Sequence, residues 1–311
     1  MKSLIRKILI GNTPVSEYST ITVPGDITEK VFLKKGNTQL DISGSHWLLC
    51  LKPVVFGIWF SEKNDAVLPD KERGARYKMY FNDAEKNART VAVLELSFLN
   101  KIEEPDGILL LLRLERPVTH HINLIKTLFL YYRHYKKPEQ DLTVLRSFSA
   151  AYSYPRKVRL ISFKEGEYCN IFPMDLVGDI PQSKRYVFGL RHSNVTLARI
   201  IETKKILVSE IPYEQKKIIY QLGKHHRDPL SANDLPFNII ESEKFHFPVP
   251  AWANSYKEIM IEKNINLGSH MLLWGEEINE KKISPPHGHL FHIHFLHYLH
   301  QQKKGHAYPL V

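Results

Sequence analysis

The feature that most narrows the fold of this chain is a succession of short apolar, β-branched or aromatic runs, each closed by a turn sequence or a proline. In the first half these are Ser45-His-Trp-Leu-Leu-Cys-Leu-Lys and Val54-Val-Phe-Gly-Ile-Trp-Phe, parted by Pro53. Lys78-Met-Tyr-Phe, Val91-Ala-Val-Leu-Glu-Leu-Ser-Phe and Ile108-Leu-Leu-Leu-Leu-Arg-Leu follow. Runs of this length between Gly, Pro, Asn and Asp read as strands. Glu104-Pro-Asp-Gly is a turn in which Pro presets φ and Gly is expected in the left-handed position. The second half continues with Val158-Arg-Leu-Ile-Ser-Phe, the hairpin turn Lys164-Glu-Gly-Glu, Tyr168-Cys-Asn-Ile-Phe-Pro-Met-Asp and Tyr186-Val-Phe-Gly-Leu. Ile206-Leu-Val-Ser-Glu, Glu258-Ile-Met-Ile-Glu, His270-Met-Leu-Leu-Trp-Gly-Glu-Glu-Ile and Leu290-Phe-His-Ile-His-Phe complete the strands.

Helical signals are fewer. They cover His121 to Tyr135, Leu142 to Ala151, a segment capped by Ser193 or Asn194, and Pro212 to Leu222 ended by Gly223. Many short strands with a few inserted helices predict a mainly β fold, a small β-barrel rather than a doubly wound sheet. A length of 311 residues accommodates two domains. The polar break Lys136-Lys-Pro-Glu-Gln-Asp places them at 1–145 and 146–311. Glu95 to Leu114 and Glu276 to Phe295 both read strand, polar Pro-Gly turn, strand, then an aromatic segment. That repetition fits two barrels of common descent, or turn chemistry shared by chance.

Composition removes several function classes. No run approaches the roughly 18 apolar residues of a membrane span, and Met1 to Ile10 is too short for a secretory signal. Cys50 and Cys169 stand alone, which predicts reduced thiols and a cytoplasmic protein. The net charge of +10 comes from scattered pairs such as Lys34-Lys35, Lys136-Lys137 and Lys303-Lys304 among acids. This describes a basic surface that attracts anionic cofactors, not the concentrated patch of a nucleic-acid binder. No GxGxxG, Walker loop, HExxH or GxSxG stands where its chemistry needs it, so no catalytic nucleophile is assigned. His287, His289, His292, His294, His297 and His300 crowd the C-terminus. His292 and His294 share a strand face and could reach a metal, but no Cys, Asp or Glu joins them at ligand spacing. They are expected to be strand-facing, partly exposed imidazoles, one or two of them lining a pocket, with no metal.

Tyr154-Pro-Arg-Lys-Val-Arg-Leu-Ile-Ser-Phe, Asn170-Ile-Phe-Pro-Met-Asp, Leu190-Arg-His-Ser-Asn-Val-Thr, Ile206-Leu-Val-Ser-Glu-Ile-Pro and Gly223-Lys-His-His-Arg-Asp occur in that order. Pro248-Val-Pro and Gly268-Ser-His-Met-Leu-Leu-Trp-Gly-Glu follow. Together they resemble the flavin reductase-like, FMN-binding split β-barrel family over the C-terminal half. The resemblance implies bound FMN and an NAD(P)H-dependent flavin reductase-like oxidoreductase acting on a small-molecule substrate. It also implies a flavin at a homodimer interface, or at an intramolecular pseudo-dimer if the first half is a degenerate second split barrel, with His46 or Trp47 as contacts. One departure stands out: Phe172-Pro173-Met174-Asp175 replaces the family's small hydroxyl residues. It favours the alternative of a non-catalytic split-barrel binding protein that has lost flavin.

The residues themselves suit such a ligand. In the turn Arg191-His192-Ser193-Asn194-Val195-Thr196, Arg191 is a forked cation and Ser193 and Thr196 are hydroxyl donors. The helix start behind them offers backbone N–H groups to a dianion. The plainer reading is a capped helix with Arg191 in solvent. Asn170 can bond a ring edge or ribityl hydroxyl, Phe172 and Met174 can contact the flavin plane, and Asp175 would alter its electronics.

Overall fold

The computed structural model describes residues 18–23, 27, 29–61, 75–83, 89–121, 125, 127–128, 142–230, 235–285, 288–303 and 305. Met1 to Ile10, Lys136-Lys137, His287 and most of the expected helix from His121 to Tyr135 lie outside them. Strand β1 (Tyr18–Val23) and the short β9 (Arg156–Lys157) flank β19 (His289–His294) in a small antiparallel sheet. A seven-stranded antiparallel sheet is built from β2 (Lys30–Lys35), β3 (Thr38–Asp41), β4 (His46–Leu51), β5 (Val54–Phe60), β6 (Arg76–Asn82), β7 (Thr90–Glu104) and β8 (Gly107–Thr119). A second is built from β10 (Arg159–Glu165), β11 (Tyr168–Met174), β12 (Val177–Ile180), β13 (Arg185–Arg191), β14 (Lys205–Glu210), β17 (Ser255–Asn266) and β18 (His270–Lys282). The ribbon β15 (Ile239–Glu241) and β16 (Pro248–Pro250) stands apart. The helices are α1 (Leu142–Ala151), α2 (Leu197–Thr203), α3 (Lys216–Gln221) and α4 (Phe295–Lys303).

The two large sheets have one topology. Their orders are β3-β2-β6-β7-β8-β5-β4 and β11-β10-β14-β17-β18-β13-β12. Each strand of the first maps onto the next of the second in chain order. The repeat is therefore present in a register other than the one the turn sequences suggest: hairpin β7–β8 corresponds to β17–β18, not to β18 and β19. Polar Pro-Gly sequences stand in both connections, so turn chemistry alone does not set the register of the repeat.

In each sheet the two edge strands are consecutive in the chain. Residues 42–45 join β3 to β4, and residues 175–176 join β11 to β12. Links this short bring opposite edges of a seven-stranded sheet together only if the sheet curls on itself, yet no ladder joins those edges among the described residues. The mainly β expectation, barrels with inserted helices, matches this curled, split form. Register shifts in β7–β8 and β17–β18 mark the bulges that let the long hairpins coil.

Continuous apolar runs occur where both faces of a strand are buried. In β8, Ile108, Leu110 and Leu112 enter the main core, while Leu109 and Leu111 face a second cluster. In β5, Phe56 and Ile58 point inward; Val55 and Trp59 point outward. Ile180, Val187, Leu272 and Trp274 of the second sheet complete the outer cluster, and Trp59 and Trp274 stack with centroids 5.8 Å apart. The sheets thus meet along β4, β5 and β8 on one side and β12, β13 and β18 on the other. The approach is close enough to demand glycine. A Cβ on Gly189 would lie 1.9 Å from the Leu49 carbonyl oxygen, and one on Gly178 would lie 2.4 Å from the Trp47 indole. Gly107 has a similar explanation: it is not left-handed, contrary to expectation, but abuts the Phe60 carbonyl oxygen, which its Cβ would approach to 2.3 Å.

We predict that Gly189→Ala lowers stability by about 1–3 kcal/mol or more through overpacking against the β4 backbone. Chemical denaturation of both proteins measures this; an unchanged midpoint would remove the contact from the account.

Candidate functional site

A cavity of about 660 Å³ opens beside the split of the second sheet. That volume is within the roughly 300–1,000 Å³ typical of small-molecule sites. Its wall draws on the end of β11, the 175–176 link, the end of β13 with the turn after it, α3 with residues 223–228, and β19. The segment 219–228 lies in the long connection from β14 to β17, residues 211–254; the first sheet joins the matching strands β6 and β7 through residues 83–89 alone. This insertion is the local reason the second sheet carries the cavity. The helix expected to stop at Gly223 instead tightens into a 3₁₀ turn over Leu222–His226, which brings Lys224, His226 and Arg227 to the wall.

Of the site residues expected from the sequence, Met174, Asp175, Arg191, Ser193 and Asn194 line this cavity. Arg191 and Ser193 are exposed, and Arg191 forms no ion pair among the described residues. Lys224 and Arg227 add cationic groups, Asp228 a carboxylate, and Pro173, Leu176 and Leu190 an apolar wall.

Of the other expected residues, Asn170 through its Nδ2 and Thr196 are tied into hydrogen bonds inside the protein. Thr196 is fully buried, its hydroxyl accepting from Asn170 Nδ2 at 2.7 Å and sharing a 2.9 Å bond with the Tyr168 hydroxyl. Asn170 Nδ2 also donates to the His225 carbonyl at 2.8 Å. The backbone N–H groups meant for an anion are spent as well. Asn194 N–H donates to Arg191 O, Val195 N–H to His226 O, Thr196 N–H to Asn194 Oδ1 and Leu197 N–H to Asn194 O. These bonds fix the turn rather than address a ligand. Phe172 is fully buried with its ring 4.8 Å from that of His226, and His192 turns away to Asn266 Oδ1 at 3.1 Å. Pro173 causes no bulge; β11 is an edge strand and its register with β10 runs unbroken. His226 ties the parts together: Nε2 donates to Pro173 O at 2.8 Å, so Nδ1 accepts from Asn194 Nδ2 at 2.9 Å. Burial first, then the nearby Arg191 charge, lowers the His226 pKa and favours that neutral form.

The first sheet contributes Leu51 to the wall, not His46 or Trp47. His46 is buried, its Nδ1 donating to Ile42 O at 2.8 Å, and Trp47 lies over Gly178. Asp175 lies in the split itself. Its Oδ2 accepts from His292 Nδ1 at 3.0 Å and from the Tyr152 hydroxyl at 3.1 Å, and Tyr220 bonds the far nitrogen of His292. Burial alone would push the Asp175 carboxyl up, but the hydrogen bond and charge of His292, the Tyr152 hydroxyl and Arg156 outweigh it and hold the pKa down. Among the described residues no group of His, Cys, Asp and Glu could hold a metal ion. Contrary to the expectation of partly exposed strand imidazoles, His294, His297 and His300 are buried, and the last two stand on helix α4, facing Glu29 and Asp83 at 3.6 and 3.1 Å. Sequence reasoning missed Tyr152 and Tyr220, which carry no motif. It met Lys224, His226 and Arg227 only within Gly223-Lys-His-His-Arg-Asp.

Part of the chain is similar in fold to flavin reductases. The NADH:FAD oxidoreductase of Streptomyces globisporus C-1027 is 18% identical with a TM-score of 0.44, the match covering 50% of this chain and 94% of that one. The flavin reductase component of a bacterial two-component tryptophan halogenase is 10% identical with a TM-score of 0.41, over 46% of this chain and 89% of that one. An FMN-binding protein of Thermus thermophilus is 16% identical with a TM-score of 0.36, over 42% of this chain and 73% of that one. No protein-family model and no curated protein matches the sequence. No helix among the described residues is long and apolar enough to cross a membrane.

Two buried imidazoles make stability depend on pH. Burial, reinforced by Arg191, lowers the His270 pKa from 6.5 to about 4; burial, reinforced by Arg156, lowers that of His46 from 6.5 to about 3. As pH falls below 6.5 the unfolded chain binds protons that these folded histidines refuse. Their contribution is therefore complete above 6.5 and is lost as pH drops toward 4 and 3, at up to about 1.4 kcal/mol per pH unit for each. We predict that the thermal midpoint falls across this window and that His270→Gln flattens the upper part, between pH 6.5 and 4. An equal slope in the variant would contradict the assignment.

Proposed function

We propose that the chain is an FMN-binding flavoprotein, an NAD(P)H-dependent flavin reductase-like oxidoreductase acting on a small-molecule substrate. The observation that carries this reading is the lining of the cavity beside the split, which combines a cationic set, Arg191, Lys224 and Arg227 with the Ser193 hydroxyl, and an apolar set, Pro173, Met174, Leu176 and Leu190. A phosphate dianion suits the first and a flat ring system the second. Arg191 would grip the phosphate and Met174 would lie against the ring, with Asn170, Thr196 and His226 holding the turn in place. Bound flavin would supply the hydride chemistry, and the protein's part is to seat it and shape access. An NAD(P)H donor carries phosphates that the same cations attract.

The reading extends to the whole chain as two split barrels, residues 1–145 and 146–311. The first is degenerate and supplies Leu51 as the second wall, so that a pseudo-dimer forms within one chain. Two buried free thiols, Cys50 and Cys169, suit a reducing, cytoplasmic setting. Asp175 favours a second reading, a split-barrel binding protein without flavin, because an ionised carboxylate on the ring wall disfavours an anionic reduced ring.

Titration of the purified protein with FMN separates the two. We expect saturable binding that Arg191→Ala weakens by about 10- to 100-fold, the loss of a charge-assisted bond. A Cβ on Gly223 meets only the cavity residue Pro173, at 4.0 Å, so Gly223→Phe is expected to block FMN while leaving the melting temperature within about 2 °C. Colourless protein with no FMN-induced thermal shift would leave the second reading standing. Light scattering is expected to give the mass of a monomer; an obligate dimer formed through the second barrel would overturn the pseudo-dimer.

A further inference from the structure

The outer face of the first sheet carries a row of charge that packing within the sheet does not explain. Register sets Lys34, Lys78, Glu95 and Arg116 side by side across β2, β6, β7 and β8. Their neighbours Leu33, Met79, Leu94 and Leu96 point the other way, into the core. Lys34 and Lys78 are directly opposite, an arrangement of like charges that weakens a sheet. Glu95 is the only acid in the row, and its contact with Lys78 is long, 3.9 Å, with the two side chains 40% and 55% exposed. A groove of about 470 Å³ lies here, lined by Lys34, Arg76, Lys78, Tyr80 and Glu95 among others. It shares no lining residue with the cavity beside the split.

The second sheet holds the counterpart of this row, and there it is covered. Bulges fix the equivalence. The ladder β7–β8 slips after Glu95 and again at Leu99, and β17–β18 slips after Glu258 and again at Glu262. Glu258 therefore stands where Glu95 stands, in the row Ser162, Leu207, Glu258, Asn279. The first three are fully buried, because residues 242–247 of the β14–β17 connection lie over them. Ser242 Oγ donates to Glu258 Oε1 at 2.7 Å, and the N–H groups of Lys244 and Phe245 donate to the same carboxylate at 3.1 and 2.6 Å. The Lys205 ammonium lies 5.4 Å from the centre of the Phe245 ring, and Lys205 occupies the position of Arg76. In the first sheet the β6–β7 connection, residues 83–89, is too short to supply such a ribbon.

We propose that the groove over Lys34, Lys78, Glu95 and Arg116 docks an extended acidic segment of a partner protein, whose backbone N–H groups meet Glu95 as residues 244–245 meet Glu258. Charge selects the occupant. Ser162 and Leu207 lie dry under the ribbon of the second sheet, but their counterparts here are Lys34 and Lys78. An apolar cover would bury unpaired ammonium groups, so the segment must bring carboxylates. A hydroxyl residue just before the paired N–H groups and an aromatic ring over Arg76 would complete the match. Glu95 at the centre of the row disfavours a nucleic acid, whose phosphate backbone has no donor to offer it. The net charge of +10 disfavours a second copy of this chain. This docking is independent of the flavin reading.

The test uses the full chain and, as ligand, a fluorescein-labelled peptide with the sequence of residues 239–250 carrying Lys244→Glu. Fluorescence anisotropy is expected to show one saturable site that weakens as salt is raised. Joint replacement Lys34→Glu with Lys78→Glu should weaken binding by at least about 10-fold. Glu95→Gln should also weaken it, by about 10-fold, although it leaves the groove more positive. Unspecific attraction of an anion would instead grow stronger in Glu95→Gln. Each variant should melt within about 2 °C of the parent, since the changes are at the surface. No binding to the parent, or binding that Glu95→Gln leaves unchanged or strengthens, overturns the proposal. So does a short single-stranded RNA that binds the groove more tightly than the peptide, or self-association of the parent that Lys34→Glu abolishes.

Discussion

The close contact of the two sheets is the constraint on which the rest of the molecule depends. Strands β5, β8, β13 and β18 bury both faces, one in a barrel interior and the other against the opposite sheet. A barrel of this size that exposed Val55, Trp59, Leu109, Leu111, Val187, Leu272 and Trp274 would carry an apolar patch of the kind soluble monomers avoid. Covering it requires the backbones to approach closely, and glycine at 178 and 189 is what makes that possible. Backbone bonds then lock the loop after β17: Ser269 N–H donates to Lys52 O at 2.7 Å, and Lys52 N–H to Ser269 Oγ at 3.0 Å. His270, on the cavity wall, follows directly from that lock.

The cavity shows a division of labour among polar groups. Those most deeply buried, the Asn170 amide nitrogen, Thr196 and the backbone N–H groups of residues 194–197, bond within the protein and hold the turn. Those at the surface, Arg191, Ser193, Lys224 and Arg227, remain available. A rigid inner layer supporting a free outer layer is what a binding site needs to present charge without rearranging.

The split of the second barrel explains where its cavity sits. Because β11 and β12 do not pair, the two residues joining them are not consumed in a ladder, and Asp175 can turn toward β19 and α1. The matching gap in the first barrel holds Ile42 to Ser45, whose polar groups cap their own turn: Ser43 binds Asp41 Oδ1 and receives the Val31 N–H. Duplication of a topology did not duplicate the site, since the 211–254 connection and Asp175 belong to one copy only.

Periodicity and punctuation in the sequence by themselves determined the mainly β class, nearly every strand of the second sheet, and the turn that closes β10–β11. These depend on local sterics and on apolar side chains seeking cover, both legible within a few residues. The unbroken run at Ile108 to Leu112 read only as a strand; burial of both its faces was decided by the opposite sheet. The register of the repeat, the surroundings of Asp175, and the fate of Asn170 and Thr196 were decided only by tertiary structure. A side chain's type states which bonds it can make, but which partner reaches it first depends on residues far away in the chain. Tyr220 and His292, 72 positions apart, share a hydrogen bond that no local pattern foretells.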